Sequence, residues 1–323
     1  MASMLDLAAA NLLSPMVLFF VLGLGAAILR SDLTIPEAVA KGISLYLMLA
    51  IGFKGGAGVA AHGLDALLFF ALLAGILLSA AIPLIAFGLL TASTSLPRVD
   101  AAAIAAHYGS ISIVTFLAAS QALDSAGIRY EGFMVAVAAA METPAIIVAL
   151  WLAKRGQSKG GLDKETLREV TLNGSIVVLL GAFAIGWITG ADGMKAISAF
   201  IVDPFKGVLC LFLLDMGVIA GRGLREGRRS LSLPVILFGL YMPLIGAALG
   251  LVAAKAIGLS LGGTALMTAL SASASYIAVP AAMRLALPEA RPSVYLPLSL
   301  GVTFPFNLTL GIPLYITLAT LVH

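Results

Sequence analysis

Charged residues are scarce in this chain. Asp, Glu, Lys and Arg make up 11% of its 323 residues, whereas 61% are hydrophobic and the mean hydropathy is +1.08. Soluble globular domains have about 25% charged residues. A chain this apolar has too few polar side chains to cover a water-facing surface, whereas a lipid-facing surface must itself be apolar. The composition therefore excludes a soluble protein and indicates an integral membrane protein.

Cysteine and histidine are almost absent as well. The one cysteine, Cys210, lies in an apolar run, so no disulfide framework and no cysteine zinc site can form within one chain. Three histidines, at positions 62, 107 and 323, are too few for a histidine-rich catalytic metal centre. The hydrolase and protease motifs His-Glu-x-x-His and Gly-x-Ser-x-Gly do not occur in the sequence. We therefore predict that the chain is not an enzyme and has no organic cofactor.

Positive charge is sparse and scattered. The net charge of +3 and the isoelectric point near 9.0 come from Lys and Arg residues that lie between apolar runs. They form no basic stripe, which excludes a nucleic-acid partner, and their positions are typical of topology signals in membrane proteins. The N-terminal sequence MASMLDLAAANLLSP lacks a basic n-region. We therefore interpret the first apolar run as a retained membrane span and not as a signal peptide.

Long apolar runs are what the chain has instead. A helix needs about 20 apolar residues to cross a membrane, and ten runs are suitable. We predict an all-α polytopic membrane protein, a secondary transporter with ten spans, near residues 12–29, 35–53, 65–92, 99–123, 131–153, 170–189, 198–220, 232–257, 261–286 and 292–321. The charged stretch 154–168 interrupts this pattern between spans 5 and 6. We therefore divide the chain into a first unit at 1–155, a linker at 156–168 and a second unit at 169–323.

The basic residues between the spans predict their orientation. The loops after spans 1, 3, 5, 7 and 9 carry 13 basic residues, whereas the opposite side carries 4, which are Lys54, Arg129, Lys195 and Lys255. Basic residues are in excess on the cytoplasmic side of membrane proteins. We therefore predict a cytoplasmic linker and outward-facing termini in the cytoplasmic (inner) membrane. Since each unit has five spans, the second unit enters the membrane inverted.

The two units share a pattern of residues in the same order, which is typical of transporters built from inverted repeats. A Lys-Gly pair is followed by another glycine, eleven residues after the lysine, in spans 2 and 7. A serine precedes a proline by 32 residues from span 4 to span 5, and again from span 9 to span 10. The matching residues are Lys41, Gly42 and Gly52 with Lys206, Gly207 and Gly217, and Ser112 and Pro144 with Ser273 and Pro305. We predict a five-plus-five inverted repeat.

Small polar residues interrupt spans 4 and 9 at corresponding positions. They predict broken helices, because non-helical backbone within a membrane must face protein or a water-filled cavity. Helix N-termini at such breaks offer free N–H groups to a small anion, and serine hydroxyls add donors. The alternative is that Ser and Ala here only allow close helix packing. The candidate anion-binding residues are Gly109, Ser110, Ser112, Thr115, Ser273 and Ser275, with Ser271 in the same polar stretch.

Ionisable residues within spans are costly and are therefore functional candidates. Glu142 precedes Pro144, and a proline frees a backbone carbonyl one turn earlier. A carboxylate with freed carbonyls and Thr303 from the second unit would suit a hard cation such as sodium. The alternative for Glu142 is a structural pair with Lys41 or His107. The candidate cation-binding residues are Glu142, Thr143, Tyr276 and Thr303.

Two further residues are candidates for coupling. His107 immediately precedes the predicted break in span 4 and titrates near neutral pH in water, so it can carry a proton. Its alternative is a structural hydrogen bond. Asp215 lies within the apolar stretch of span 7. Its alternatives are a pair with Lys206 or Lys54 and a position near a membrane interface.

At these residues the chain resembles the sodium-dependent bicarbonate transporters first recognised in cyanobacteria. The resemblance covers nearly the whole chain and is stronger in order and spacing than in identity. The segments that carry it are 35–38, 109–115, 141–145, 206–217, 273–284 and 292–313. It implies ten helices in an inverted repeat with core and gate domains, sodium-coupled uptake of bicarbonate where helices 4 and 9 cross, and a homotrimer. It also implies that a PII-like cytosolic regulator accompanies many members.

By position, the resemblance implies that serines or a threonine of the family correspond to Ser112, Thr115, Ser273 and Ser275. It implies that an aspartate of the family corresponds to Glu142. The chain departs from the family in several places, which concern the cargo and the coupling ion. This chain has Ser110 where the cyanobacterial members have Ala, Ala274 where they have Ser, and Tyr276 where they have Asp. His107 and Asp215 have no counterpart in those members, and the linker is shorter than theirs.

The leading hypothesis is a symporter of sodium with bicarbonate or a similar small anion. The first alternative is a proton- or sodium-coupled transporter of a small organic carboxylate, which His107 or Asp215 would serve. The second is a membrane sensor or scaffold for a regulatory protein. It has little support, because the soluble segments are too short to signal alone.

Overall fold

The computed structural model describes residues 12–63, 65–154, 174–227, 231–276, 279–280, 282–283 and 287–323. All regular elements within these ranges are helical, which confirms the predicted all-α class. The α-helices, numbered here in chain order, are α1 Pro15–Ile28, α2 Glu37–His62, α3 Ala66–Ser93, α4 Arg98–Gly109, α5 Ile113–Ser125, α6 Met134–Ala140, α7 Glu142–Lys154, α8 Gly174–Ile201, α9 Phe205–Gly227, α10 Leu233–Ile257, α11 Leu261–Ala272, α12 Pro292–Leu298, α13 Phe304–Phe306 and α14 Ile312–Val322. Two π-helical turns, Ser299–Thr303 and Asn307–Gly311, flank α13.

Eight helical stretches within the described residues are long and apolar enough to cross a membrane, and α1 and α11 are shorter apolar helices. The chain is therefore a multi-pass membrane protein. Predicted span 4 corresponds to α4 and α5, span 5 to α6 and α7, and span 10 to the continuous stretch from α12 to α14. Span 9, predicted at 261–286 with a break, begins as α11, which ends at Ala272, and residues 279–280 and 282–283 are again helical.

The predicted end of span 2 was wrong, because α2 extends beyond its apolar run and includes Lys54. Predicted span 6 ends at residue 189, next to Gly190, whose non-helical backbone (φ 55°, ψ −138°) interrupts α8, and Lys195 lies in the helical turns that follow this kink. The apolar run of span 2 ends where glycines begin, but the backbone remains helical, with Gly56 packed against α8 and Gly55 and Gly58 packed against Gly132. The Lys54 ammonium lies 5.5 Å from the ring centroid of Phe205. Lys255 likewise lies in the last turn of α10, so three of the four basic residues assigned to the outer side are helical.

The helices form two groups. In the first, α2 packs against α8, α1 packs against α9, and α9 also contacts α2. In the second, α3 packs against α4, α7 and α10, while α11 packs against α10, α14 and α5. Fewer contacts, including those of α6 with α2 and α8 and of α12 with α9, join the groups. The helices on either side of the interruptions, α4, α5, α7 and α11, lie in the second group.

Glycines set the close approach of helices in the first group. A Cβ on Gly56 would fall on the carbonyl oxygen of Phe183 in α8, and a Cβ on Gly217 would fall on that of Phe20 in α1. A side chain at either position would therefore push two backbones apart. Such close contacts through small residues are common between membrane helices, where van der Waals packing drives association.

The stretch from Arg98 to Ser125 is shielded by protein. Its most apolar 18-residue window is wholly buried inside the fold. Non-helical backbone is tolerated at membrane depth only where protein or a cavity surrounds it. This stretch is therefore the place where the fold can accommodate an interruption. The linker at 156–168 lies outside the described residues, so the division into two units stays a prediction.

Candidate functional site

The first interruption separates α4 from α5. Helix α4 ends at Gly109, and both Ser110 and Ser112 have extended backbone, with φ, ψ angles of −85°, 146° and −98°, 109°. The Ser112 hydroxyl then accepts a hydrogen bond from the Thr115 N–H at 3.2 Å and caps α5. Glycine is required at 109 because a Cβ there would collide with the ring of Pro83 in α3. The sequence therefore ends one helix and starts another within three residues.

A second extended segment follows α11. Ser273 has φ −84° and ψ 162°, and residues 273–276 are not helical. The Asn307 amide donates to the carbonyl oxygen of Ala272 at 2.9 Å and satisfies one free acceptor at this helix end. The Tyr315 hydroxyl in turn donates to Asn307 Oδ1 at 2.6 Å. Asn307 and Tyr315, which sequence analysis missed, thus hold the end of α11 against the last span.

The two extended segments lie against each other at a place that we call the crossing, formed by residues 107–115 and 271–276. The Ser112 N–H donates to the Ser273 hydroxyl at 2.8 Å, and the Ser275 N–H donates to the His107 carbonyl oxygen at 2.7 Å. His107 Nδ1 lies 2.5 Å from the Ser275 carbonyl oxygen. The structure therefore brings together the candidate residues of the two units.

Unpartnered polar atoms concentrate at and beside the crossing. Among the described residues, the buried side-chain atoms without a hydrogen-bond partner are His107 Nε2, Ser110 Oγ, Thr115 Oγ1, Glu142 Oε2, Ser271 Oγ and Tyr276 OH. The Tyr276 hydroxyl interacts with the Ser112 side chain without forming a hydrogen bond of normal geometry. Buried polar groups in native proteins are nearly always paired. This cluster is therefore the part of the fold best suited to receive a polar ligand.

His107 presents one nitrogen with a defined role. Its Nδ1 faces a carbonyl oxygen, which can only accept, so Nδ1 carries the proton. In the neutral ring Nε2 is then an acceptor, and it has no partner. The ring lies 4.8 Å from the ring of Tyr295 in α12. The imidazole is therefore held rigidly, with one nitrogen free for a ligand or a proton.

Glu142 lies at a third interruption, between α6 and α7. It is 6% exposed. The Ser79 hydroxyl inserts here, donating to the Met141 carbonyl oxygen at 2.5 Å and accepting from the Ala145 N–H at 3.2 Å. Ser79 was missed from sequence because it lies in the apolar run of α3. Glu142 makes no ion pair with a described residue, and Lys41 is exposed, which removes the alternative of a structural pair with Lys41 or His107.

Of the other cation candidates, Thr303 is already engaged. Its hydroxyl donates to the Gly239 carbonyl oxygen at 2.7 Å and lies 2.5 Å from the Tyr108 hydroxyl, which must then be the donor. It links the last span to α10 and α4. Thr143 is half-buried next to Glu142. The side chain of Thr303 thus has little capacity left for a cation.

Asp215 lies in the first helix group, whereas the crossing lies in the second. It is 5% exposed on α9 and interacts electrostatically with Arg222 two turns later. It forms no ion pair with Lys206 or Lys54, which removes the alternative of a pair with either lysine. Its role in coupling stays a prediction.

Two contacts fix the ends of the interrupted stretches on opposite sides. Asp100 in α4 accepts from the Arg291 backbone N–H at 2.8 Å and from its Nε at 2.7 Å, with an ion pair of 2.6 Å to Nη2. Glu131 accepts from the Ser260 backbone N–H at 2.7 Å and from its hydroxyl at 2.9 Å, at the start of α11. Each contact joins the first turn of an interrupted stretch to the residues that lead into another span.

A comparison with family models matches residues 15–320 of this chain to the Na+-dependent bicarbonate transporter superfamily. A search of curated proteins gave no match. Because the family match covers almost the entire chain, the chain belongs to the Na+-dependent bicarbonate transporter superfamily. This confirms the resemblance described above and identifies the chain as a member of a transporter family.

Proposed function

Starting from this membership, we propose that the chain is a secondary transporter that carries bicarbonate or a similar small anion together with sodium. The observation that supports this most is the cluster of unpartnered buried polar atoms at the crossing. The superfamily description names both the anion and the cation. Transfer of both to this chain is part of the proposal.

The anion is proposed to bind between the two extended segments. Neither Lys nor Arg contributes to the crossing, so attraction must come from N–H groups, hydroxyls and the positive end of α5. The unpartnered Ser110 and Thr115 hydroxyls supply donors that rotate to fit the ligand. A planar anion with three oxygens suits several such donors at once.

The two units are proposed to be inverted repeats, 1–155 and 169–323. The packing of α2 on α8 corresponds to that of α9 on α1, and that of α3 on α4 to that of α10 on α11. The close-contact glycines Gly52 and Gly56 of α2 correspond to Gly217 and Gly221 of α9, each 165 positions later. In this arrangement the crossing lies between the repeats, where transporters of this architecture bind substrate.

The cation is proposed to bind at Glu142, with Thr143, Tyr276 and backbone carbonyls as further oxygen donors. The unpartnered Oε2 atom of Glu142 supports this assignment. Pro144 lacks the N–H that would bond to the Ala140 carbonyl oxygen, which is then free for a hard cation. Thr303 would contribute its carbonyl rather than its hydroxyl.

Transport requires the enclosed crossing to open alternately to each side. The residues of the crossing, 107–115 and 271–276, are buried. The two helix groups are the natural moving parts, since fewer contacts join them than hold each together, and inverted-repeat transporters rock one group against the other. The inner membrane location, the cytoplasmic linker, the homotrimer and a PII-like regulator belong to the same proposal and rest on the charge pattern and the resemblance.

Uptake of labelled bicarbonate into liposomes, with and without an inward sodium gradient, tests the proposal. We expect uptake that depends on the gradient in wild type and that is abolished in Glu142→Gln. Glu289→Gln is the matched control, because Glu289 is exposed. No gradient-dependent uptake by wild type, or equal loss in both variants, would contradict the assignment.

The free His107 Nε2 favours one second candidate, a carrier of a small organic carboxylate coupled to protons or sodium. A thermal-shift screen of anions at fixed sodium concentration separates the two. Stabilisation by bicarbonate and not by larger carboxylates supports the first proposal. The reverse result, together with uptake driven by a proton gradient and lost in His107→Gln, supports the second.

A further inference from the structure

Three arginines converge on a cavity far from the crossing. The cavity has a volume of about 600 Å³, is open to the surface and is lined by Ala27, Arg30, Ser31, Arg222 and Arg225. Arg30 follows the last turn of α1, whereas Arg222 and Arg225 lie in the last two turns of α9. The close packing of α1 on α9 therefore brings the three guanidinium groups to one place.

Two of the arginines are anchored by hydrogen bonds to backbone carbonyls, which leave their remaining N–H groups available to a ligand. Arg222 Nη2 donates to the Leu33 carbonyl oxygen at 2.9 Å, and Arg225 Nη1 donates to the Ala27 carbonyl oxygen at 3.1 Å. A guanidinium has five N–H donors, so each keeps others for a ligand. None of the three forms an ion pair with a described residue. The cavity thus holds three positive charges, two of them anchored, although Asp215 interacts electrostatically with Arg222.

Arg30 occupies a position that favours glycine. Its φ is 62°, and the Ser31 and Arg30 N–H groups donate to the Ala26 and Ala27 carbonyl oxygens at 2.8 and 3.2 Å. This is the glycine-type end of a helix, in which the left-handed residue is usually Gly. An arginine there accepts unfavourable backbone geometry. Glycine would fit this backbone better, so the arginine side chain, which lines the cavity, is a candidate for contact with a ligand.

The surface beside the cavity is apolar. Leu18, Leu22 and Leu29 are 48%, 58% and 83% exposed, and their spacing places them on one face of α1. In a membrane protein such a face contacts acyl chains. Arginines next to it lie at the depth of the lipid headgroups.

We propose that this arginine cavity binds the phosphate group of an anionic ligand, and the adjoining leucine face favours an anionic phospholipid. Arginine binds phosphate oxygens through paired N–H donors. Anionic lipid surfaces attract basic residues next to a span. The proposal is independent of the anion site at the crossing and survives if that assignment fails.

Lipid retention measured by native mass spectrometry tests this proposal. The protein is released from nanodiscs that contain equal amounts of phosphatidylglycerol and phosphatidylcholine. We expect wild type to retain phosphatidylglycerol preferentially. Arg30→Gly removes one charge while suiting the backbone, and Arg30→Gly/Arg225→Gln removes two. If each cavity arginine in contact with the bound headgroup contributes roughly the fivefold factor of a basic residue at an anionic surface, retention should fall about fivefold and about twenty-five-fold.

Arg98→Gln is the matched control. Arg98 is also exposed and also donates to a backbone carbonyl, that of Leu152, but it lies outside the cavity. Retention by this variant should equal wild type. Competition with soluble glycerol phosphate distinguishes a free phosphate ester from a lipid as the ligand. Displacement of the lipid shows that the phosphate group alone is enough for binding, whereas no displacement shows that the acyl chains contribute to binding. Equal retention of both lipids by wild type, or equal retention by the double variant and Arg98→Gln, would overturn the proposal.

Discussion

Replacing Ser273 by alanine removes the contact that joins the two extended segments most directly. The Ser273 hydroxyl accepts from the Ser112 N–H at 2.8 Å and donates to the Leu270 carbonyl oxygen at 2.7 Å. Both serines are at most 3% exposed. In Ser273→Ala the Leu270 carbonyl keeps the Ser273 backbone N–H at 3.1 Å, but the Ser112 N–H is left without a partner.

The expected loss follows from that one unpaired group. A buried N–H without a partner costs about 1–3 kcal/mol. Hydrogen bonds between membrane helices average only about 0.6 kcal/mol and reach about 1.7. Because Ser112 has extended backbone, its N–H has no carbonyl of its own helix to return to. We therefore expect Ser273→Ala to lower the free energy of unfolding by about 1–2 kcal/mol, near the upper end of the membrane range.

Reversible unfolding in mixed detergent micelles measures this difference. Ser299→Ala is the control, because Ser299 is equally buried but its hydroxyl donates only to carbonyls of its own helical stretch, at 2.9 and 3.3 Å. Such local bonds contribute little to stability, so the control should lose less than about 0.5 kcal/mol. An equal loss in the two variants would refute the pairing of Ser112 with Ser273.

Three other changes test the fold. Gly217→Ala should destabilise by about 1–3 kcal/mol, because its Cβ would strike the α1 backbone, whereas Gly207→Ala meets open space and should not; thermal unfolding decides. Asp100→Asn weakens the ion pair with Arg291, whose side chain is 53% exposed. This change should lower the free energy of unfolding by about 1 kcal/mol, and an unchanged melting temperature would contradict that. With Cys210 replaced by alanine, a cysteine in the linker should react with an impermeant maleimide only in inverted vesicles; reaction in right-side-out vesicles would reverse the orientation.

Much of the fold was predictable because composition and spacing are strong signals in membranes. Ten apolar runs predicted the helices, and the repeated Lys-Gly-to-Gly offset pointed to Gly52 and Gly217. The structure shows that the second glycine of each pair is the one in close contact with another helix, whereas Gly42 and Gly207 face open space. The helix ends were less predictable, since α2 stays helical beyond its apolar run, where Gly56 packs against α8.

The site was predictable as a set of residues but not as a network. Polar interruptions in apolar runs identified Ser110, Thr115 and Glu142, which are among the buried groups left unpartnered. The supporting residues gave no such signal. Ser79 and Asn307 are single polar residues in long apolar stretches, and their roles depend on which carbonyl a distant segment brings to them. Tertiary packing decides that, and one sequence does not show it.

We propose the crossing of the two extended segments as the anion site of a sodium-coupled transporter. A pair of electron cryo-microscopy maps of the protein in nanodiscs, one with sodium bicarbonate and one with neither ion, tests this assignment. We expect additional density between Ser112 and Ser275, in contact with Ser110 or Thr115, and a second peak beside Glu142 that requires sodium. Anion density elsewhere, or identical maps from a preparation that transports bicarbonate, would refute the assignment.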